Sequence, residues 1–188
     1  ELIQYQRDDG IVTLTLNSPE TRNPISDDDM IEALLAALER LETDPDARVA
    51  ILTGAGSAFS SGGNVKKMGA AGGLNDARPA KTRLNYKQGI QRIPLAFEKL
   101  EVPVIAAVNG PAVGAGCDLA CMCDLIVASD DASFQNPVLR MTGAAVELLV
   151  EPWEMPARKA KEFLLTASVL TAVEAERLGM VNRVVPRD

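Results

Sequence analysis

Two stretches of the chain repeat one design, and this design constrains the fold more than any other feature of the sequence. Each stretch starts with a short apolar run rich in β-branched residues, continues through a loop of small residues and ends where a helix begins. Residues 49–68 read VAILTGAGSAFSSGGNVKKM, and residues 103–124 read PVIAAVNGPAVGAGCDLACMCD. Such apolar runs predict buried strands, and clusters of Gly, Ala, Ser and Asn predict tight loops. The chain is therefore expected to form an α/β fold in which strands and helices alternate.

The two loops also suggest chemistry. Gly114, Ala115 and Gly116 carry almost no side-chain bulk, so a ligand atom can approach backbone N–H groups that have no partner within the helix. Close packing of a helix on a strand would favour the same small residues. Because the loop at residues 54–63 repeats the pattern, two loops could direct N–H donors at one oxygen, which is the geometry of an oxyanion hole.

The rest of the chain fits one layered domain over residues 1–188, with a core at 1–135 and a mostly helical C-terminal part at 136–188. Alternating apolar residues on both sides of Asp9-Gly10 predict an N-terminal β-hairpin. Apolar residues at helical spacing predict two amphipathic helices, the second with a kink at Pro94. The predicted elements are strands at residues 2–7, 11–16, 49–53, 103–108, 124–128, 133–135 and 181–186, and helices at 27–43, 80–100 and 171–178.

Composition excludes several classes of protein. A formal net charge of −7 argues against non-specific binding of nucleic acid, which needs a basic face. No run approaches the roughly 20 apolar residues that span a bilayer, and the first residues lack the basic and apolar regions of a signal peptide. These features predict a cytoplasmic protein that binds neither nucleic acid nor a membrane.

The chain contains no histidine, which excludes Ser-His-Asp and Cys-His hydrolases and His-ligated metal sites. Proton transfer must then use carboxylates, Lys, Tyr, Cys or water. Three cysteines, at positions 117, 121 and 123, match no common zinc spacing, so buried free thiols and no metal are expected. A dinucleotide site is disfavoured because Gly114 and Gly116 are followed by Leu119 where the fingerprint requires Gly or Ala.

Four segments together resemble the crotonase superfamily, the enoyl-CoA hydratase/isomerase group. They span nearly the whole chain in the family's order and read LNSPETRNPIS (16–26), VAILTGAGSAFSSGGNVKKM (49–68), PVIAAVNGPAVGAGCDLACMCDLIVAS (103–129) and LTASVLTAVEAERLGMVNRVVP (165–186). The resemblance implies a superhelix of repeated ββα units, assembly as a homotrimer or hexamer, and an acyl-coenzyme A thioester as substrate, within fatty acid metabolism. It implies no separate cofactor, because coenzyme A is part of the substrate. Members usually continue into further helices, so a short or missing C-terminal helical part is expected here.

By this resemblance, the oxyanion hole consists of the backbone N–H groups of Gly63 and Ala115. Arg22 and Lys66 are expected near the phosphates of coenzyme A, although a solvated surface lysine is an equal interpretation of Lys66. The residues expected to bind the substrate are Arg22, Gly63, Asn64, Val65, Lys66 and Ala115.

The expected catalytic acids depart from the family pattern. The first family glutamate corresponds to Asp118, whose carboxylate reaches about 1.5 Å less far than that of Glu. The second corresponds to Val138, which cannot transfer a proton, so standard enoyl-CoA hydration is in doubt. Some relatives carry a working Asp one turn further on, which makes Glu147 the candidate second acid. Alternatively, Asp118 is a first-turn acid favoured by the helix dipole, and Glu147 is a solvent-facing helix residue.

Two functions remain open from the sequence. The first is an enoyl-CoA hydratase or isomerase in which Gly63 and Ala115 stabilise a thioester enolate while Asp118 and Glu147 move protons. The second is a catalytically weak acyl-CoA-binding or assembly protein, which Val138 favours.

Overall fold

The computed structural model describes residues 1–69, 73–143 and 150–187. Its strands, in chain order, are β1 (Ile3–Asp8), β2 (Ile11–Leu16), β3 (Val49–Gly54), β4 (Val104–Val108), β5 (Ala112–Val113), β6 (Leu125–Ser129), β7 (Ser133–Gln135), β8 (Leu170–Thr171) and β9 (Arg183–Val185). Its helices are α1 (Asp28–Glu42), α2 (Val65–Met68), α3 (Pro79–Gln88), α4 (Arg92–Phe97), α5 (Ala115–Cys121), α6 (Val138–Thr142), α7 (Glu151–Glu154), α8 (Ala157–Thr166) and α9 (Ala172–Leu178), with a 3-10 turn at Pro19–Thr21. No helix in the described ranges is long and apolar enough to cross a membrane.

The main sheet places the two loops at the same edge. Its strand order is β1-β2-β3-β4-β6-β9; β1 and β2 form the predicted antiparallel hairpin, and every later pair of neighbours is parallel. Asp9 and Gly10 form the hairpin turn with positive φ values of 40° and 79°, which short polar residues and glycine tolerate. Because β3 and β4 are parallel neighbours, the loops that follow them leave the same edge of the sheet side by side.

A second, smaller sheet with the order β5-β7-β8 holds the loop that follows β4. β5 pairs with β7 in parallel, and β7 pairs with β8 antiparallel. Ala112 of β5 lies opposite Phe134 of β7, and both side chains are fully buried. The backbone immediately before α5 is therefore fixed by a buried strand pair.

One hydrophobic core joins the main sheet to α1. Alternate residues of β2 are buried, namely Val12, Leu14 and Leu16. α1 packs against β1 and α4, and its buried face includes Leu34 and Leu38. Full burial of a Leu side chain contributes about 1.5–3 kcal/mol, so the repeated Leu positions account for the stable placement of α1.

The part of the chain after residue 135 contributes strands as well as the predicted helices. β9 extends the main sheet beside β6, and β8 extends the small sheet beside β7. The helix predicted at residues 171–178 is present as α9 and begins with a capping box: the Glu174 N–H donates to Thr171 Oγ1 at 3.2 Å, and the Thr171 N–H donates to Glu174 Oε2 at 2.9 Å. α9 ends, as predicted, at Gly179 in the left-handed region (φ 84°).

The prediction of one amphipathic helix over residues 80–100 is wrong in two respects, its continuity and its burial. The chain breaks at Gly89 into α3 and α4, whereas Pro94 lies in the first turn of α4, where N–H groups have no partner within the helix and a proline is tolerated. In addition, α3 buries none of its side chains, and Leu84 is 39% exposed. This segment is therefore two short helices, the first of which lies on the surface.

Candidate active site

The loops that follow β3 and β4 are joined by backbone hydrogen bonds. The Val113 N–H donates to the Ser60 carbonyl oxygen at 2.9 Å, and the Phe59 and Ser60 N–H groups both donate to a carbonyl of the second loop. Gly62 has a φ of +76°, and a Cβ on it would lie 2.2 Å from the Val113 carbonyl oxygen and 2.9 Å from the Ala115 nitrogen. Glycine is therefore required at position 62, where the first loop meets the second beside Ala115.

A third segment, residues 17–26, holds the first loop from its other side. Asn23 is fully buried, and its Nδ2 donates to three carbonyl oxygens of the first loop at 2.9 to 3.2 Å. Its own carbonyl oxygen accepts a hydrogen bond from Ser60 Oγ at 2.7 Å. The sequence analysis did not identify Asn23, and no signal in the sequence singles it out. Its backbone is left-handed (φ 54°), a conformation that Asn adopts more readily than most residues.

The hydrogen bonds on either side of Gly63 leave its own N–H group unused. The Gly62 N–H donates to Ser60 Oγ at 3.1 Å, and the Asn64 N–H donates to Ser26 Oγ at 2.7 Å. Between these two satisfied residues, the N–H of Gly63 has no acceptor among the residues that the structure describes. Gly63 therefore keeps a donor for a ligand.

The second loop has the same feature at the start of α5. The Gly114 N–H donates to the Gln135 carbonyl oxygen at 2.8 Å, and the Gly114 carbonyl accepts from the third and fourth residues of the helix. Gly114 itself has φ 54° and ψ −126°, a conformation that only glycine adopts readily. Within the described ranges, the Ala115 N–H has no acceptor, as expected for the first residue of a helix.

A small cavity of about 50 Å³ lies beside Ala115 and Asp118. Its wall is mostly apolar, and Asp118 is the one ionisable side chain in it among the residues described. The lining residues are Ile25, Ile90, Gln91, Ile93, Pro94, Ala115, Asp118, Leu119 and Met122. A carboxylate in an apolar wall next to an unused N–H suits proton transfer on a bound organic ligand.

The other residues expected to bind the substrate lie near the surface. Three of them are exposed, namely Arg22, Val65 and Lys66. Asn64 Nδ2 donates to Asp27 Oδ2 at 2.9 Å, and Lys67 Nζ pairs with the same oxygen at 2.9 Å. The hydrogen bond to Asp27 raises the pKa of Lys67, so this lysine forms an ion pair with Asp27. Lys66 forms no ion pair within the part of the chain that the structure describes.

A larger cavity of about 660 Å³ lies between α2 and the start of α1. Its wall contains four carboxylates, those of Asp27, Asp28, Asp29 and Glu32, together with Lys67. The excess of negative charge disfavours a phosphate there. This cavity is therefore a poor match for the phosphates of coenzyme A, although it adjoins the first loop.

A buried polar cluster that the sequence analysis missed lies next to Asp118. Asn136 Nδ2 donates to Asp118 Oδ1 at 3.2 Å and to Glu151 Oε1 at 2.7 Å. Asn136 and Glu151 are fully buried, and Asp118 is 5% exposed. Among the described residues, Glu151 Oε2 has no hydrogen-bond partner. The sequence carries no signal for Glu151, because an acid before Pro152 at the start of a helix is typical of an exposed first-turn residue.

Val138 lies two residues after Asn136 of this cluster. It is the first residue of α6, and its N–H donates to Asn136 Oδ1 at 3.4 Å. Its aliphatic side chain has no group that can take or give a proton. Glu147, the candidate second acid, lies outside the described residues.

The three cysteines are buried free thiols, as predicted. A hydrogen bond with Cys121 and complete burial raise the pKa of the Cys117 thiol well above its ordinary value, and the nearby charges of Asp118 and Glu151 act in the same direction. Burial also raises the pKa of Cys123. Both groups therefore stay as thiols near neutral pH and are poor nucleophiles.

Comparison with known proteins gives the site its context. The family model for enoyl-CoA hydratase/isomerase matches residues 6–188. A probable enoyl-CoA hydratase of Mycobacterium bovis is 35% identical over 193 residues, which cover 100% of this chain and 70% of that protein.

Solved structures show the same relationship. The crystal structure of a probable enoyl-CoA hydratase from Mycobacterium smegmatis matches with a TM-score of 0.88 at 39% identity and covers 100% of this chain and 73% of that one. A monofunctional enoyl-CoA isomerase from M. smegmatis matches with a TM-score of 0.78 at 35% identity, covering 100% and 78%. The fold class expected from the sequence is confirmed.

Proposed function

Since the chain belongs to the enoyl-CoA hydratase/isomerase family, we propose that it acts on an acyl-CoA thioester through an oxyanion hole formed by the Gly63 and Ala115 N–H groups. The observation that carries the proposal is the contact between the two loops at Gly62 and Ala115, beside which the N–H groups of Gly63 and Ala115 have no acceptor among the described residues. A thioester oxygen that gains negative charge during reaction is stabilised by two fixed donors, each worth roughly 3 kcal/mol.

Asp118 is the proposed acid–base group. It shares the small cavity with Ala115, so a thioester whose oxygen meets Ala115 would bring its neighbouring carbons to the Asp118 carboxylate. In the isomerisation of a 3-enoyl thioester, Asp118 removes a proton from the carbon next to the carbonyl, and the electron pair moves onto the thioester oxygen. The protonated Asp118 then returns the proton to the fourth carbon as the double bond shifts.

This shuttle needs one carboxylate, whereas hydration must also orient and deprotonate a water molecule. The aliphatic side chain of Val138 therefore favours isomerisation over standard hydration. Glu147 keeps its predicted role as a second acid, which hydration would require.

The surface of the first loop is the proposed place for coenzyme A. Lys66 and Arg22 are exposed, and neither forms an ion pair within the described residues, whereas Lys67 is paired with Asp27. Lys66 is therefore better suited than Lys67 to contact the phosphates, with Asn64 and Val65 beside it.

Turnover of defined thioesters tests the proposal. We expect the wild-type chain to convert a short 3-enoyl-CoA to its 2-enoyl isomer, and Asp118→Asn to lower kcat by about 10²- to 10⁴-fold with little change in KM. Asp130→Asn, an exposed residue at the end of β6, is the control and should match the wild type. Equal kcat values for Asp118→Asn and the wild type would contradict the role of Asp118.

A second candidate function is acyl-CoA binding without significant turnover, and Val138 is the observation that favours it. Calorimetry with butyryl-CoA, together with turnover assays, distinguishes the enzyme from the binding protein. Binding combined with no turnover across enoyl-CoA thioesters of different chain length supports a binding protein, and measurable turnover excludes it.

A further inference from the structure

The structure assigns a positioning role to Glu151: through Asn136 it orients the carboxylate of Asp118. We name the three side chains of Asp118, Asn136 and Glu151 the buried relay. The inference rests on the proposed function of Asp118 and adds a residue that lies outside the cavity wall. Its basis is geometric, since one amide nitrogen bonds to an oxygen of each carboxylate.

The relay fixes the amide of Asn136 in one orientation. Both hydrogens of Nδ2 are used, one by each carboxylate, and Oδ1 accepts from the Val138 N–H. If the amide flipped, Oδ1 would face two carboxylate oxygens and lose both hydrogen bonds. The bond to Glu151 is the shorter, at 2.7 Å against 3.2 Å for Asp118, so Glu151 is the stronger anchor of the amide. Asp118 is then held by an amide that Glu151 has already oriented.

A purely structural role explains Glu151 poorly. A fully buried carboxylate is costly unless its oxygens are bonded, and Glu151 Oε2 has no partner among the described residues. Favourable interaction with the dipole of α7 does not require burial, and α7 has only four residues. Glu154 occupies the same short helix and is only partly buried, which shows that an acid there need not be enclosed. Glu154 is therefore a matched control for Glu151.

The test is a double-mutant cycle on turnover of the enoyl-CoA thioester that the wild-type chain converts. We expect Glu151→Gln, which keeps the size of the side chain, to lower kcat about 10- to 100-fold while KM stays close to the wild-type value, the effect of weakening one charge-assisted hydrogen bond behind the reacting group. Glu154→Gln should leave kcat unchanged. In an Asp118→Asn background, Glu151→Gln should cause no further loss, because Glu151 acts through Asp118.

The outcomes separate this inference from the proposed function. A kcat for Glu151→Gln equal to that of the wild type overturns the positioning role, and so do losses that multiply in the double variant. Absence of turnover by the wild-type chain overturns the proposed function and the role of Glu151 with it. If Glu151→Gln does not fold, as judged by circular dichroism, Glu151→Asp replaces it: the carboxylate remains but withdraws by about 1.5 Å, and the same loss and the same lack of additivity are expected.

Discussion

Single buried polar residues determine the geometry of the candidate site. Asn23 holds the first loop through three carbonyl oxygens, and Asn136 joins Asp118 to Glu151. Neither asparagine could be recognised from the sequence, because Asn before Pro is typical of any loop and hydrogen-bond partners distant in the chain are fixed only by tertiary packing. The small residues were more informative: two loops rich in them predicted that N–H donors of both could face one oxygen, and Gly62 brings the first loop beside Ala115.

Gly62 provides a stability prediction at this scale. Gly62→Ala should lower the free energy of unfolding by about 1–3 kcal/mol and reduce turnover, since φ is +76° and the new Cβ would lie 2.2 Å from the Val113 carbonyl oxygen. Gly69→Ala is the control, because a Cβ there meets nothing within 4 Å and should change stability by less than about 0.5 kcal/mol. Urea unfolding of the two variants measures the difference; equal midpoints would show that the loops are not in contact as described.

At the scale of elements, strands were predicted better than helices. The runs at residues 49–53 and 103–108 are short, apolar and rich in β-branched residues, and they form β3 and β4 in the structure. The prediction of one amphipathic helix at residues 80–100 failed because apolar residues at helical spacing do not reveal which of them pack against the core. Leu84 and Leu95 are 39% and 55% exposed, whereas Ile93 and Phe97 are buried. Proline was also misjudged, since Pro94 lies in the first turn of α4.

The capping box of α9 provides a pH prediction. A hydrogen bond from the Thr171 N–H, and to a smaller extent one from the Thr171 hydroxyl, holds the pKa of the Glu174 carboxyl below its ordinary value of 4.5. Because the folded-state pKa lies below the unfolded one, the stabilising contribution is complete above the unfolded value and is lost as the pH falls through the folded value. Glu174→Gln should therefore destabilise the protein relative to the wild type at about pH 7, and the difference should shrink at about pH 3.

Urea unfolding at the two pH values measures this difference. Glu39→Gln, an exposed position in α1, is the control and should match the wild type at about pH 7. A Glu174→Gln deficit of the same size at both pH values would contradict the capping role of the carboxylate.

For the whole molecule, the order of strands explains why a site forms where it does. β3 and β4 are parallel neighbours, so their loops leave one edge of the sheet together, and α5 begins at that edge with Asp118 in its first turn. The sequence predicted the α/β class and the two loops, and the resemblance to the crotonase superfamily supplied the family. The buried relay could not be predicted, since it depends on how the segment after residue 135 folds back onto α5. Assembly as a homotrimer or hexamer stays a prediction.

The crystal structure of the protein with butyryl-CoA, a saturated thioester that cannot react, tests the central claim most directly. We expect the thioester oxygen to lie about 2.7–3.1 Å from both the Gly63 and the Ala115 nitrogen. The carbon next to the carbonyl should lie beside the Asp118 carboxylate. A thioester oxygen in contact with neither nitrogen, with the two N–H groups directed apart, would contradict the account.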